Sequence, residues 1–224
     1  MSFSEFLKKN NKLVSDSVVD LSKSHKIGVI PTDIMSIDYV TNGGIAIGKI
    51  TEIAGEFQAG KTTLALTVAA RVQDMVKKGL LKGTVIYADF EHSVSPTYAK
   101  TLGVDIEDPD KFVLLQPTGG ADELSNILDK IYEEKDQVCS LLIIDSLSTM
   151  RPKAEIDRSL EDAEKLKGIH ARSCAQFLAK HSPRFSKLGM TAIIINQTRT
   201  KIQFDMYAPK SDMIAGGDDA YNTT

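Results

Sequence analysis

The sequence predicts an α/β fold in which three layers enclose a mostly parallel central sheet. From residue 49 onward, short apolar runs alternate with longer segments whose apolar residues recur at helical spacing. The apolar runs are almost continuously hydrophobic, which is typical of strands that are covered by helices on both faces. Strands that alternate with helices along a chain are joined by right-handed crossovers, so the strands of this sheet are expected to be parallel.

The apolar runs predict the strands of the sheet, at residues 49–54, 84–89, 112–115, 140–145 and 191–195. Apolar stripes at helical spacing predict the helices between them. These stripes are Leu64, Val68, Val72 and Met75, then Leu124, Ile127, Leu128 and Ile131, and then Leu166, Ile169, Cys174, Phe177 and Leu178. A short helix over residues 96–102 is expected to end before Gly103, because glycine commonly follows the last helical residue.

A polar arm precedes the predicted sheet. Residues 1–28 form this arm, and residues 29–224 form the core domain. Phe3, Phe6 and Leu7 have the spacing of a short amphipathic helix, which indicates packing on the core domain or, as an oligomerisation element, on a neighbouring subunit.

Composition excludes several classes of protein. The chain has 224 residues, of which 42% are hydrophobic and 25% charged, as expected for a globular domain and not for a disordered chain. Its net charge of −3 excludes tight binding of polyanions by overall charge, so any nucleic-acid site must be local. No apolar run approaches the length of about 20 residues that crosses a bilayer, and no signal peptide is visible, so we expect a cytoplasmic protein without membrane contact. Cys139 and Cys174 lack metal-ligand spacing and are expected to be buried.

A phosphate-binding loop carries the strongest functional signal. Residues 55–62 read GEFQAGKT and match the pattern G-x-x-x-x-G-K-[ST], directly after a predicted strand and before a predicted helix. Main-chain amides and the helix N-terminus bind the phosphates, Lys61 neutralises the β- and γ-oxygens, and the Thr62 hydroxyl coordinates Mg²⁺. The predicted nucleotide-binding residues here are Gly55, Glu56, Phe57, Gln58, Ala59, Gly60, Lys61, Thr62 and Thr63.

A magnesium site needs a second oxygen ligand, and Asp145 has the right place in the sequence. Four apolar residues precede it, so it is expected at the C-terminal end of a buried strand, where α/β sheets bind ligands. The alternative is that Asp145 only caps the segment that follows.

Hydrolysis also needs a group that orients and deprotonates the attacking water. Glu91 is the best candidate, and Asp89 lies on the same strand. The alternative for either residue is a solvated loop acid. Ser146 and Gln197 each follow a predicted strand and can sense the γ-phosphate by hydrogen bonding. Gln197 is expected where a loop begins.

Taken in order, these motifs resemble the RecA family of homologous-recombination ATPases. The resemblance extends from about residue 30 to residue 217. It is carried by Gly43, Gly44 and Ile45, the phosphate loop, residues 89–92 and 95–105, residues 144–146, 152–156 and 195–199, and Gly216 and Gly217. The start of the phosphate loop is similar to the eukaryotic and archaeal branches, whereas Glu91 and His92 are similar to the bacterial and phage branch. That mixture indicates a divergent member of bacterial or phage origin.

The resemblance implies a recombinase that forms filaments or rings, with ATP and Mg²⁺ bound between subunits. Such a protein binds single-stranded DNA and pairs it with homologous double-stranded DNA. By the same resemblance, Glu91 activates water, Lys61 and Gln197 assist hydrolysis, and Tyr98 stacks on adenine. Gln197 would couple the γ-phosphate to the DNA-binding loops.

DNA contacts are implied for two loops, from about residue 150 to 167 and from 198 to 215. The implied contact residues are Arg151, Lys153, Arg158, Arg199, Lys201, Phe204 and Lys210. Acidic and basic residues are equal in number around the first loop, and the second has one more basic residue than acidic. Each subunit is therefore expected to bind DNA weakly, with repetition along a filament supplying avidity. The alternative is that both are plain solvated loops.

The sequence also departs from the family pattern. Ser95 stands where bacterial members have an acid near the adenine, and the residues after Gly217 differ from the usual helix start. The sequence given ends at Thr224, so we expect it to lack the family's last core strands and C-terminal domain. This favours an alternative hypothesis, a truncated nucleotide-binding paralogue that modulates a filament without appreciable ATPase activity. A hexameric helicase motor fits residues 152–155 and 196–197 less well.

Overall fold

The computed structural model describes residues 28–134, 139–157, 168–200 and 212–214. The side chains of Arg199, Thr200 and residues 212–214 are not described. The predicted N-terminal arm, apart from Gly28, lies outside these residues, as does Leu166 of the third helical stripe.

Strands and helices alternate along the chain, as predicted. In order they are β1 (Val29–Ile30), α1 (Met35–Val40), β2 (Ile45–Ala46), β3 (Ile50–Gly55), α2 (Lys61–Lys77), β4 (Thr84–Asp89), α3 (Pro96–Thr101), β5 (Phe112–Leu115), α4 (Gly120–Glu133), β6 (Cys139–Asp145), α5 (Lys153–Ile156), α6 (Ile169–Leu188), β7 (Thr191–Thr200) and β8 (Asp212–Ile214). None of the helices in the described segments is long and apolar enough to cross a bilayer.

The central sheet has the strand order β3-β7-β6-β4-β5, and each neighbouring pair in that order is parallel. β8 adds to the end of β7 in the antiparallel direction, and β1 and β2 form a separate antiparallel pair. The predicted α/β class with a mostly parallel sheet is therefore confirmed.

Two hydrophobic clusters lie on opposite faces of the sheet. On one face, Tyr87 and Ile143 pack with the buried side of α2. On the other face, Ile144 packs with residues of α4 and α6, including Leu128 and Phe177. Because successive strand residues point to opposite faces, the continuous apolar runs supply both clusters at once. The sheet is thus the middle layer of three.

One expectation about β7 is wrong. Gln197 was expected where a loop begins, but β7 continues to Thr200. Gln197 pairs with Gly55 on β3, and Thr198 pairs with Ile214 on β8. These pairings hold the polar end of β7 in the extended conformation. The main chain of Gln197 therefore belongs to the strand and not to a loop.

A buried histidine joins α4 to α6. His181 is fully buried, and its ring lies 4.5 Å from that of Phe177. Its Nδ1 bonds the Tyr132 hydroxyl at 2.8 Å, and its Nε2 bonds the Ser125 hydroxyl at 3.0 Å. Burial, with the nearby Lys180 charge, lowers the pKa of His181 to about 4. The neutral imidazole is the form that packs in this layer.

We predict that His181 makes the fold sensitive to mild acid. Because its pKa is lower in the folded than in the unfolded chain, its contribution to stability is complete above pH 6.5 and declines as the pH falls towards 4. Between pH 7 and pH 5 this amounts to about 2 kcal/mol in the free energy of unfolding. Urea denaturation measures it. The variant His181→Phe should lose this pH-dependent part, and an unchanged slope with pH in that variant would contradict the prediction.

Candidate active site

The phosphate loop joins the end of β3 to the start of α2. Gln58 and Gly60 have φ angles of 60° and 89°, in the left-handed region that the tight turn requires. Gly60 is the N-cap of α2 and has no side chain to bond the first amides of the helix. These amides remain directed at the site where an anion binds, and the helix dipole adds positive potential there.

Lys61 is folded over this loop. Its Nζ donates to the main-chain oxygens of Gly55 at 3.0 Å and Glu56 at 2.6 Å. A phosphate oxygen is a stronger acceptor for an ammonium group than a neutral carbonyl oxygen is. The side chain therefore lies where it can exchange these bonds for contacts with a bound phosphate.

Thr62 and Asp145 meet where the helix begins. The Thr62 hydroxyl donates to Asp145 Oδ2 at 3.0 Å, across 83 residues of sequence. Asp145 also accepts a 2.5 Å hydrogen bond from the Tyr87 hydroxyl. Burial raises the pKa of Asp145, and the two hydroxyl donors act in the opposite direction. Its donors in this network are hydroxyl groups, whereas an N-cap would accept from main-chain amides, so the capping alternative is not supported.

Hydroxyl and carboxylate oxygens are the ligand types that Mg²⁺ prefers. The described segments contain no group of three or more His, Cys, Asp or Glu side chains that could hold a metal by itself. A site made by Thr62, Asp145 and the oxygens of a bound phosphate fits Mg²⁺, which usually combines one or two carboxylates with substrate phosphates and waters.

Glu91 lies in a small polar network beside the phosphate loop. Its Oε1 accepts hydrogen bonds from Ser146 Oγ at 2.5 Å and from Gln197 Nε2 at 2.9 Å. Ser146 in turn bonds the hydroxyls of Ser148 at 2.7 Å and Thr149 at 3.1 Å. The structure thus brings together three of the predicted site residues: Ser146, which follows β6, and Gln197 on β7 both donate to one carboxylate oxygen of Glu91, which follows β4.

The phosphate loop and the residues at the ends of the strands line a cleft of about 330 Å³. Its lining includes Glu91, Asp145, Gln197 and Ile195, together with residues 57–63 of the phosphate loop and first helical turn. The predicted phosphate, metal and water-activating residues therefore share one opening.

Asp89 has a different environment. It is fully buried, and its carboxylate accepts hydrogen bonds from the amides of Ser93 at 3.2 Å and Val94 at 3.3 Å, and from Gln116 Nε2 at 3.4 Å. The solvated-loop alternative is therefore wrong for Asp89. Because Asp89 bonds the amides of Ser93 and Val94, it holds in place the segment that carries Glu91. Asp89 therefore supports the site and does not line the cleft.

Tyr98 and Phe57 lie at the rim of the site. The Tyr98 hydroxyl is 2.9 Å from that of Thr63, and Ser95 caps α3 by accepting from the Tyr98 amide at 3.3 Å. Tyr98 is 43% exposed, and Phe57 is 75% exposed at the tip of the phosphate loop. Both rings are accessible to a planar group or to a second protein surface.

The predicted DNA-contact residues are only partly described. Arg151 and Lys153 are exposed, and Arg151 forms an ion pair with Glu155. Arg199 lies in β7, where only its main chain is described. The remaining predicted contacts lie outside the described residues, namely Arg158, Lys201, Phe204 and Lys210.

Arg172, in the first turn of α6, was not among the DNA-contact residues that the sequence predicted. This exposed residue lines a cleft of about 500 Å³ together with Lys153 and Asp122. It lies on the helix that follows the first predicted DNA-binding loop, and a cation so near that loop is a signal that the sequence contains.

Comparison with known proteins agrees with this geometry. A family model described as the RecA N-terminal domain matches residues 3–220. The chain belongs to the RecA family. The resemblance that the motifs indicated is thereby confirmed.

Several bacterial RecA proteins are similar to this chain. Protein RecA of Bifidobacterium breve is 39% identical over 177 residues, which cover 79% of this chain and 42% of that protein. Protein RecA of Fusobacterium nucleatum is 38% identical over 194 residues, covering 86% and 47%. Protein RecA of Ureaplasma parvum is 37% identical over 201 residues, covering 89% and 55%. The chain spans about half the length of the curated relatives it matches.

We predict that the two acids near the end of β4, Asp89 and Glu91, differ in their effect on stability. Asp89→Ala removes a buried carboxylate that accepts hydrogen bonds from the amides of Ser93 and Val94, and should lower the free energy of unfolding by about 2 kcal/mol, because bonds to a charged group are among the stronger ones. Glu91→Gln keeps a side-chain oxygen for Ser146 and Gln197, so its effect should stay within about 0.5 kcal/mol. Chemical denaturation of both variants gives the comparison. Equal losses would contradict the separate positions assigned to the two acids.

Proposed function

We propose that this RecA-family protein is an ATP-dependent recombinase that assembles on single-stranded DNA and pairs it with homologous duplex. The observation that carries the proposal is the convergence on Glu91 Oε1. One donor to this oxygen is Ser146, directly after β6, and the other is Gln197, on the strand that leads into the second predicted DNA-binding loop. A single carboxylate thus links the nucleotide cleft to the region proposed to contact DNA.

In this proposal ATP binds with its phosphates at the amides of residues 56–60 and at Lys61. Thr62 and Asp145 hold Mg²⁺, which neutralises charge on the phosphate oxygens when bound. Glu91 orients a water and accepts its proton while the water oxygen attacks the γ-phosphorus and the bond to ADP breaks. Tyr98 and Phe57 contact the base or a neighbouring subunit.

Coupling to DNA would pass through Gln197. Its main chain pairs with Gly55 of β3, and the next residue, Thr198, pairs with β8 across the second predicted loop. A DNA contact that displaces the end of β7 would change the 2.9 Å bond from Gln197 to Glu91. Hydrolysis would then respond to DNA without any direct contact between DNA and ATP.

The proposed DNA surface includes Arg151, Lys153 and Arg172, with the two loops named above. Since few cations are available per subunit, we propose that self-association into a filament or ring supplies the affinity. We further propose that the protein acts in the cytoplasm. If the protein binds ATP without turnover, the alternative is favoured, in which it is a nucleotide-binding paralogue that modulates a filament without appreciable ATPase activity.

We predict that hydrolysis by the purified chain depends on DNA and on two residues. Single-stranded DNA should raise ATP turnover several-fold. Lys61→Ala should abolish nucleotide binding, whereas Glu91→Gln should retain binding and lower turnover by about 100-fold or more, because it removes only the base. A phosphate-release assay with a parallel binding titration measures both quantities.

Lys77→Ala is the matched control, since Lys77 is an exposed lysine at the far end of the same helix. Its turnover should equal that of the unmodified protein. Full turnover in Glu91→Gln, or no response to DNA, would contradict the proposal.

We also predict that Lys153 and Arg172 contact phosphates of single-stranded DNA. Replacing either with alanine should weaken binding for every sequence tested, and should reduce the slope of log affinity against log salt by about 1. Fluorescence anisotropy at several salt concentrations measures this slope. Lys187→Ala, at the opposite end of α6, should leave both quantities unchanged. An unaltered slope in both test variants would show that Lys153 and Arg172 do not belong to the proposed DNA-binding surface.

A further inference from the structure

A buried tyrosine supports the proposed metal site from inside the sheet. Tyr87 lies in β4, and its side chain is fully buried in the cluster that packs against α2. Its ring is 6.3 Å from that of Phe112, centre to centre. Its hydroxyl donates to Asp145 Oδ2 at 2.5 Å, the same oxygen that Thr62 approaches at 3.0 Å.

Strand register explains how Tyr87 reaches Asp145. In the parallel pair of β4 and β6, Tyr87 is opposite Ile143, and Asp89 is opposite Asp145. Asp145 therefore lies two residues further along the neighbouring strand and on the same face of the sheet. A diagonal neighbour of this kind is within reach of a long aromatic side chain. Phenylalanine would fill the same space but would lack the donor.

The hydroxyls of Thr62 and Tyr87 differ in their access to the cleft. Thr62 opens α2 at the cleft, and its hydroxyl oxygen is the proposed ligand of the metal. Tyr87 has no access to the cleft, because it is held within the core by the strands beside it. The Tyr87 hydroxyl donates to Asp145 from within the core, so this bond does not depend on what the Thr62 oxygen binds in the cleft.

We infer that Tyr87 is a positioning residue for the magnesium site. Its hydroxyl holds the Asp145 carboxylate in one orientation and compensates for the removal of that carboxylate from water. Asp145 is only 2% exposed, so loss of this donor leaves a buried anion with one hydroxyl partner fewer. Donors behind a metal ligand typically contribute about tenfold or more to metal affinity. Tyr87 acts through Asp145 and does not touch nucleotide.

The test compares Tyr87→Phe with the unmodified chain, and it rests on the function proposed above. Binding of a fluorescent ATP analogue is titrated with Mg²⁺, and the half-saturating concentration is read. Tyr87→Phe should raise that concentration about tenfold, while nucleotide affinity at saturating Mg²⁺ stays close to that of the unmodified protein. The control is Tyr132→Phe, which removes a hydroxyl that bonds His181 on the other face of the sheet and should leave the concentration unchanged.

An unchanged Mg²⁺ requirement in Tyr87→Phe, or an equal shift in Tyr132→Phe, overturns the inference while leaving the proposed function intact. An unmodified chain that shows no Mg²⁺-dependent nucleotide binding contradicts the proposed function itself. If Tyr87→Phe does not fold, the double variant Tyr87→Phe, Asp145→Asn decides. If the double variant folds, the Tyr87 hydroxyl is needed to stabilise the charge of Asp145, as inferred. If neither variant folds, Tyr87 contributes only to packing, and the inference is overturned.

Discussion

The candidate site depends on the parallel register of the central sheet. In that register Gly55 is opposite Gln197, Asp89 is opposite Asp145, and Asp145 is opposite Ile195. Strands that run in one direction end at one edge, so four segments separated in sequence meet there. Much of the site is consequently positioned by the ends of strands that are buried in the core.

Electrostatics adds a second constraint. Asp145 and Glu91 place two carboxylates at the sheet edge, and Lys61 with the N-terminus of α2 adds positive potential in the same cleft. Hydroxyl and amide donors stabilise the carboxylates without neutralising them. The cleft therefore favours a ligand that combines anionic oxygens with a divalent cation, and a phosphate that carries Mg²⁺ has that composition.

Much of the architecture could be predicted from the sequence, since continuous apolar runs are strong signals. β4 and β5 have the predicted bounds, and the phosphate loop lies where its pattern placed it. The elements β1, α1 and β2 were not predicted, because β1 and β2 have only 2 residues each and α1 has no buried residue, so it lacks an apolar stripe. The end of β7 depends on pairing with β8, which is a tertiary contact that no local pattern reveals.

Roles within the site were harder to predict than its location. Asp89 and Glu91 are both acids near a strand end, and only the packed structure separates the buried carboxylate from the one in the cleft. Tyr87 stands in an apolar run and is indistinguishable from core until the neighbouring strand brings Asp145 to its hydroxyl. Arg172 became a candidate for DNA contact only because the structure places it in the same cleft as Lys153.

In the proposed site, phosphate and metal bind where Thr62 meets Asp145. A crystal structure of the protein with Mn²⁺ and a non-hydrolysable ATP analogue tests this directly, because Mn²⁺ gives an anomalous signal that marks the metal. We expect one strong anomalous peak between the Thr62 hydroxyl and the Asp145 carboxylate, with the γ-phosphate beside Lys61 and Glu91. A peak elsewhere, or a triphosphate bound away from residues 55–62, would contradict it.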